Sequence, residues 1–497
     1  MKKTVLTVFC LLAVLFGAKA QDIDDRAQYK LNIATDLWYN SANAAGLAYS
    51  NMAAWRNVWL DYDLAKGKFT DAWGARSQSS LSLAGDMLMD IEGFKVAANL
   101  SLERNRLSKS RYNNSLYELS WDMPYFVALN SDELIGWKQS HAVIDVSAAT
   151  PLMFDDMLSF GVNLKMDMKG ASKNASPNCR YRGLSLEIMP SATFAIDEAN
   201  IVGLSAGYKL RPSRSVVGTE EEASTVVLLK GLGNYDKRVA GGTMGIAPIE
   251  YSSGAFAIAM DYKRAGYSSD WLFELTFDKC GTSVSEDESK IGQVDKFLTG
   301  LSAKGLFGES RSRILSFSLL HNLNYWLEGA NATTKANNNQ LDANLDYTAY
   351  TGVDDGGSFD WMFGLGADMH LLSYKRYVPD ASFKVVNVLP YAALGKNLLL
   401  TKEQSLLASL KLGYNFAAGS KYKYGGETVG NQIVGYMYDD EIDYLGSYYL
   451  RTTFSADYTY RLNTMLAPYA SLGIGLLTPM SSAGSRFIMS LKVGVLF

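Results

Sequence analysis

Near the end of the chain, in "RFIMSLKVGVLF" (486–497), every second side chain is apolar: Phe487, Met489, Leu491, Val493, Val495 and Phe497. Arg486, Ser490, Lys492 and Gly494 occupy the alternate positions. A period of two marks a strand with one apolar and one wet face. The pattern recurs. In 158–169, Leu158, Phe160, Val162, Leu164, Met166 and Met168 alternate with polar residues and glycine; 359–371 and 404–416 follow the same rule, and 444–460 reads as a still longer strand with tyrosines near both ends. Globular strands average ~5–6 residues, whereas a tilted strand needs ~9–11 to cross a bilayer. These runs reach twelve or more, so the alternation predicts membrane-crossing strands rather than a soluble sandwich.

The stretches between them fall into two classes in strict turn. Short connections are expected at 151–156, 197–200, 264–268, 305–309, 353–357, 395–397 and 461–463. Long ones are expected at 170–180, 212–253, 280–293, 326–342, 418–443, 373–381 and 477–484. Short turns on one side and long loops on the other are the arrangement of an outer-membrane barrel, the short turns facing the periplasm. Fifteen candidate strands follow Ala142, two of them weak (296–301 and 345–351). A bacterial barrel closes with an even number, so the preceding region owes an odd number, drawn from 55–64, 77–87, 94–103 and 116–122. The fold class is therefore an all-β transmembrane antiparallel barrel of 16–18 strands, or fourteen if the weak strands fail, with a short N-terminal plug-like segment.

The N-terminus supplies an address. Lys2 and Lys3, an apolar run from Val5 to Phe16, and Ala18-Lys19-Ala20 before Gln21 form a secretory signal with cleavage expected after Ala20. The domains are then 1–20 signal peptide, 21–54 plug-like segment and 55–497 outer-membrane barrel. Composition agrees with a barrel: 30 Tyr, 21 Phe and 43 Gly against 10 Pro and 3 His. With 47 basic and 51 acidic residues, and three of the lysines leaving with the signal, no basic patch points to nucleic acid. Cys10 also leaves; Cys179 and Cys280 remain, with pairing open.

Before the first strand, "LWYNSANAAGLAYSNMAAW" does not alternate, and its Asn40, Asn43, Gly46 and Leu47 are candidate plug residues able to pack inside a lumen. Asn43-Ala44-Ala45-Gly46-Leu47 resembles the hatch of the long-chain fatty-acid transporter superfamily, where Asn-Pro-Ala-Gly-Leu is usual; the proline is missing here. Together with the Ala20/Gln21 junction, Leu37-Trp38-Tyr39-Asn40 and the terminal Phe497, the chain also resembles an uncharacterised family of outer-membrane β-barrel proteins from Bacteroidota. That resemblance implies location and fold but no activity. It also implies that Phe497 is the terminal signal read by the barrel-assembly machinery.

Alternation assigns Lys165, Asp167, Lys169, Lys209, Glu274, Asp360, Asp368, His370, Lys411, Arg451 and Lys492 to the lumen. Charges of both signs suit a hydrated interior and hydrophilic solutes, whereas a fatty-acid conduit would want an apolar tunnel. Asp368 and His370 have the spacing of the dyad of omptin-type proteases, but the partner Asp-x-Asp has only Asp61 and Asp63 as a candidate and the chain is too long for ten strands. No His/Cys cluster of metal-ligand spacing and no phosphate loop occurs. The expectation is a non-enzymatic pore or substrate-specific channel without a cofactor, in contact with outer-membrane lipid. The rival expectation is a barrel subunit of a surface-export or uptake complex whose long loops bind a partner protein.

Overall fold

The structure is a computed structural model that describes residues 25–497, except 113–114, 118–124, 130–133, 174–177, 219–223, 231–234, 241–245, 330–332, 354–357, 378–379, 425–431, 464–465 and 482–483. The signal-peptide reading lies outside the described residues. Eighteen antiparallel strands form one sheet in which each strand pairs with its chain neighbours. The sheet closes on itself: Trp55–Gly67 pairs with Arg486–Leu496 in a register that sets Trp59 opposite Gly494 and Asp61 opposite Lys492. Phe497 adds the last rung, its N–H donating to the Arg56 carbonyl at 2.8 Å. Closure removes every sheet edge, which a membrane demands because lipid cannot satisfy a free backbone N–H or C=O.

The apolar positions face outward. Leu204, Met260, Leu365 and Val493 are each more than half exposed, although Leu and Met are normally the residues a fold buries. The inward positions carry the charges, amides and glycines. This is the inverse of a soluble protein and the pattern of a barrel whose outer face meets hydrocarbon. No helix among the described residues is long and apolar enough to span a bilayer.

The strand count is eighteen, and both weak strands form, within Ser289–Phe307 and Thr333–Thr351. Three strands, Trp55–Gly67, Ala75–Ile91 and Phe94–Ser110, precede the one that runs through Ala142, which satisfies the odd count that closure required. The segment proposed at 116–122 contributes no strand within its described part; Leu116 is buried in a loop core instead.

Several expected long loops are strand. Ser269–Glu286 and Ser289–Phe307 are joined by Asp287 and Glu288 alone, both at positive φ (48° and 64°), as a tight two-residue hairpin turn requires. The expected loop 326–342 is largely strand, and the flanks of 212–253 continue to Val217 and resume at Ile246. Strands of up to 21 residues are longer than the ~9–11 needed to cross a bilayer, and pairing continues past the apolar pattern at the long-loop end. Residues 444–460 are not one strand: Gln432–Leu445 is helical and the strand is Tyr449–Tyr460. Phe359, expected on the lipid face, is buried against Tyr350 with ring centroids 4.8 Å apart. Cys179 and Cys280 are both buried and are not joined in a disulfide.

Candidate functional site: a lumen closed at both ends

At the short-turn end the N-terminal segment occupies the lumen. Asp25 caps the helix Arg26–Thr35, accepting from Gln28 N–H at 2.8 Å, and Asp36 ends it by accepting from the N–H groups of Trp38 and Tyr39 at 2.8 and 2.7 Å. A short 3-10 turn, Ala44–Tyr49, follows, capped by Asn43. Inward-facing groups from strands all around the barrel hold this segment. The Tyr29 hydroxyl donates to Asp86, Lys30 pairs with Asp457 at 2.7 Å and the Ala42 N–H donates to Glu274 at 2.7 Å. Asn43 donates to Asp261 at 2.9 Å, Ala45 N–H to the Ser191 hydroxyl at 3.0 Å, and Lys304 to the Asp36 carbonyl at 2.6 Å. A segment bonded at once to inward side chains of six strands of a closed barrel lies inside it.

Glycine makes room for the approach. A Cβ on Gly161 would stand 2.3 Å from the Ala45 nitrogen, and one on Gly203 would stand 2.3 Å from the Asn43 amide. Within the segment, a Cβ on Gly46 would stand 2.0 Å from the Trp38 ring. Of the candidate plug residues, Asn43, Gly46 and Leu47 are therefore packed against the wall or the segment's own core, while Asn40 is exposed.

At the opposite end the loops fold inward as a cap. Phe126–Leu129, Ser224–Leu229 and Tyr235–Ala240 form a small three-stranded sheet. Its Val226, Val227, Leu228 and Leu229 pack into a core with Trp326, Leu372, Tyr374 and Val385 from the barrel wall. Tyr251 donates to the Tyr125 carbonyl at 2.8 Å and Arg376 to the Lys230 carbonyl at 2.9 Å, pinning the cap to the wall. The helix Gln432–Leu445 joins from a third loop: Asp440 accepts from Arg111 and from Tyr112, and Glu441 accepts the Ala72 N–H at 2.9 Å. Burial and the nearby Asp71 carboxylate push the Glu441 carboxyl up to about 7.

Between the two closures the lumen is wet. A cavity of about 500 Å³ is lined by Asp342, Asn344, Asp368, His370 and Arg451 from the wall and by Tyr444 from the cap helix. A second, of about 370 Å³, is lined by Lys165, Asp167, Lys169, Glu187, Arg211 and Lys296. A third, of about 490 Å³, has Glu103, Gln139, His141 and Arg486 on the far side of the same Tyr444.

Most lumen charges are paired across strands. Lys165 meets Asp145 at 3.2 Å, Asp167 meets His141 at 2.9 Å and Lys169 at 3.9 Å, and Lys209 bridges Glu187 and Asp278 at 3.4 and 3.0 Å. Lys411 stands 3.3 Å over the Tyr391 ring, and Lys492 is 3.7 Å from Asp61. His370 pairs with Asp342, not with Asp368, whose carboxylate accepts from Asn344 at 2.6 Å. Arg451 makes no hydrogen bond or ion pair among the described residues. Asp360 stands apart from the rest: it is exposed in the turn before Trp361–Tyr377, against Gly352, rather than along the lumen wall.

Alternation placed Asn415 on the polar face of 404–416, but Asp342, Asn344 and Asn387 were not assigned to the lumen. The signal was present: polar residues stand at every even position from Asn338 to Thr348, but the first half of that run was taken for loop. Among the described residues no cluster of His, Cys, Asp or Glu has the makings of a metal site.

A closed antiparallel barrel with an apolar belt and a polar, plugged interior defines a transmembrane β-barrel of the outer-membrane kind. The chain belongs to the family of unknown function DUF6850, whose model matches residues 44–497. No curated protein matches it in sequence. Among solved structures it is similar to BauA, the ferric preacinetobactin receptor from Acinetobacter baumannii, with 8% identity, 88% of this chain and 80% of that one covered, and a TM-score of 0.43. The open form of the ferric-catecholate import receptor Fiu from E. coli K12 gives 8% identity, 88% and 81% coverage and 0.40. A mutant of the monoaromatic hydrocarbon channel TodX gives 10%, 97% and 95%, and 0.34.

Proposed function

We propose that this protein is an outer-membrane conduit for small hydrophilic solutes, shut at rest by its N-terminal segment on the periplasmic side and by its folded loops on the outer side. The observation that carries the reading is the charged, hydrogen-bonding lumen between two closures built from the chain itself. A lumen that served only as an anchor could be filled with apolar side chains at lower desolvation cost. Both closures are held by side-chain packing and hydrogen bonds and lie outside the strand pairing of the barrel, so either can leave without unravelling a barrel strand. An apolar cargo of the fatty-acid kind fits poorly, because between the closures it would pass paired charges on the lumen wall.

A subunit or anchor role is less well supported, since the described parts of the long loops are turned in on the barrel mouth. Flux into proteoliposomes tests the reading. The intact protein should pass sugars and amino acids slowly, and deletion of residues 26–50 should speed passage; no flux in either form would overturn it.

A further inference from the structure

Resting on that reading, we infer that the 500 Å³ cavity is a binding site for a small saccharide. Its volume falls within the ~300–1,000 Å³ typical of ligand pockets and suits one or two sugar rings. The lining has the chemistry of polyol recognition. Each sugar hydroxyl both donates and accepts, so it is matched by amides and by carboxylates with spare lone pairs rather than by a single strong charge. Asn344, Asn387 and Asn415 supply the amides. Asp342 and Asp368 supply the carboxylates, each already oriented by a neighbour: His370 donates to one and Asn344 to the other.

Arg451, with no hydrogen bond or ion pair among the described residues, offers donors toward the same space, and the rings of Tyr444 and Tyr449 form an apolar boundary for a sugar's C–H face. Tyr444 and Leu445 come from the cap helix and the other lining residues from barrel strands, so the site is a stretch of wall with one edge closed by the cap.

A second observation extends the site toward the mouth. On the inward face of Arg313–Glu328, Asn322 and Asn324 stand two and four residues beyond Leu320 of the cavity, and Asn338 lies directly opposite Asn324. Asn324 and Asn338 are completely buried under the cap, yet neither side-chain oxygen nor nitrogen of either has a hydrogen-bond partner among the described residues. Buried amides are normally paired, and unpaired ones need an explanation. As the upper end of an amide track uncovered when the cap lifts, they would make the first contacts with an entering polyol.

Calorimetric titration of the detergent-purified full chain tests this with maltose, glycine and inorganic phosphate as probes. Saturable binding of maltose, weakened at least tenfold in both Arg451→Ala and Asn387→Ala while each variant keeps the heat-modifiable migration of a folded barrel, is the expected result. Binding of glycine or phosphate in preference to maltose, or maltose binding indifferent to both substitutions, would overturn the inference. Flux in the liposome assay without maltose binding would defeat the site and spare the conduit. Maltose binding without flux would do the reverse.

Discussion

Gly161 offers a way to unseat the N-terminal segment without altering any residue of it. A Cβ there would lie 2.3 Å from the nitrogen of Ala45 and 2.7 Å from its Cα. These are backbone atoms, so no rotamer change can relieve the clash. Gly161→Val should therefore shift the turn Ala44–Tyr49 off the wall, while valine suits the strand itself. Overpacking of this kind costs ~1–3 kcal/mol. Displacement would also break the bonds from Ala45 to Ser191 and from Asn43 to Asp261, each worth ~0.5–1.5 kcal/mol. The segment moves to relieve the clash, so the two costs do not add. A shift of about 3 kcal/mol against the seated state is roughly a 100-fold change in its population. Ala44, only 3% exposed, can report this as Ala44→Cys, with Cys179 and Cys280 buried and silent. Maleimide labelling of Ala44→Cys should be slow alone and roughly 100-fold faster with Gly161→Val. Equal labelling rates in two well-folded barrels would refute the close-approach reasoning.

Other outcomes follow from the same geometry. Glu441 has its carboxyl raised from an ordinary 4.5 to about 7 in the docked cap helix, so docking favours its protonated form: docking is strongest below about pH 4.5 and weakens as pH rises through 7, by about 3 kcal/mol in all. Hydrogen exchange over 432–445 should therefore quicken from pH 5 to pH 8 beyond its intrinsic pH dependence, and Glu441→Gln should abolish the extra change. Asp457→Ala strips Lys30 of its partner and leaves the buried Arg26 without its nearest carboxylate; breaking a buried pair costs ~3–5 kcal/mol, and limited proteolysis should then cut within 26–35. Leu365→Lys puts a charge on the lipid face at a cost of up to ~2–4 kcal/mol, lowering the urea midpoint of the barrel, whereas Ser318→Lys, exposed on the lining of the 500 Å³ cavity, should change it little.

Much of this architecture is legible in the sequence because lipid outside and water inside impose a strict period of two. The inward assignment of Lys209, Lys411 and Arg451 needed only that period, and the parity of strands before Ala142 needed only closure. Loop lengths were misjudged where pairing outlasts the membrane. Past the bilayer a hairpin no longer needs an apolar outer face, so Asn337 and Asn339 sit in a strand that reads as loop. The tyrosines of the cap helix fell into false register with the strand that follows, which hid Tyr444 from the site. Phe359 was misplaced because the plug makes the lumen's lower end apolar, reversing the rule there. Asn43 and Leu47 stood out as small or amide residues before the first strand, but the match of Asn43 to Asp261, of Ala45 to Ser191 and of Ala42 to Glu274 exists only in three dimensions.

The central claim is that the lumen conducts once its two closures are removed. Single-channel recording in planar bilayers measures this directly, comparing the intact chain with one lacking 26–50, the cap strands Ser224–Leu229 and Tyr235–Ala240, and the helix Gln432–Leu445. Rare, brief openings in the intact protein and sustained discrete conductance steps in the deleted one are the expected result. Silence from a folded barrel lacking both closures would contradict it.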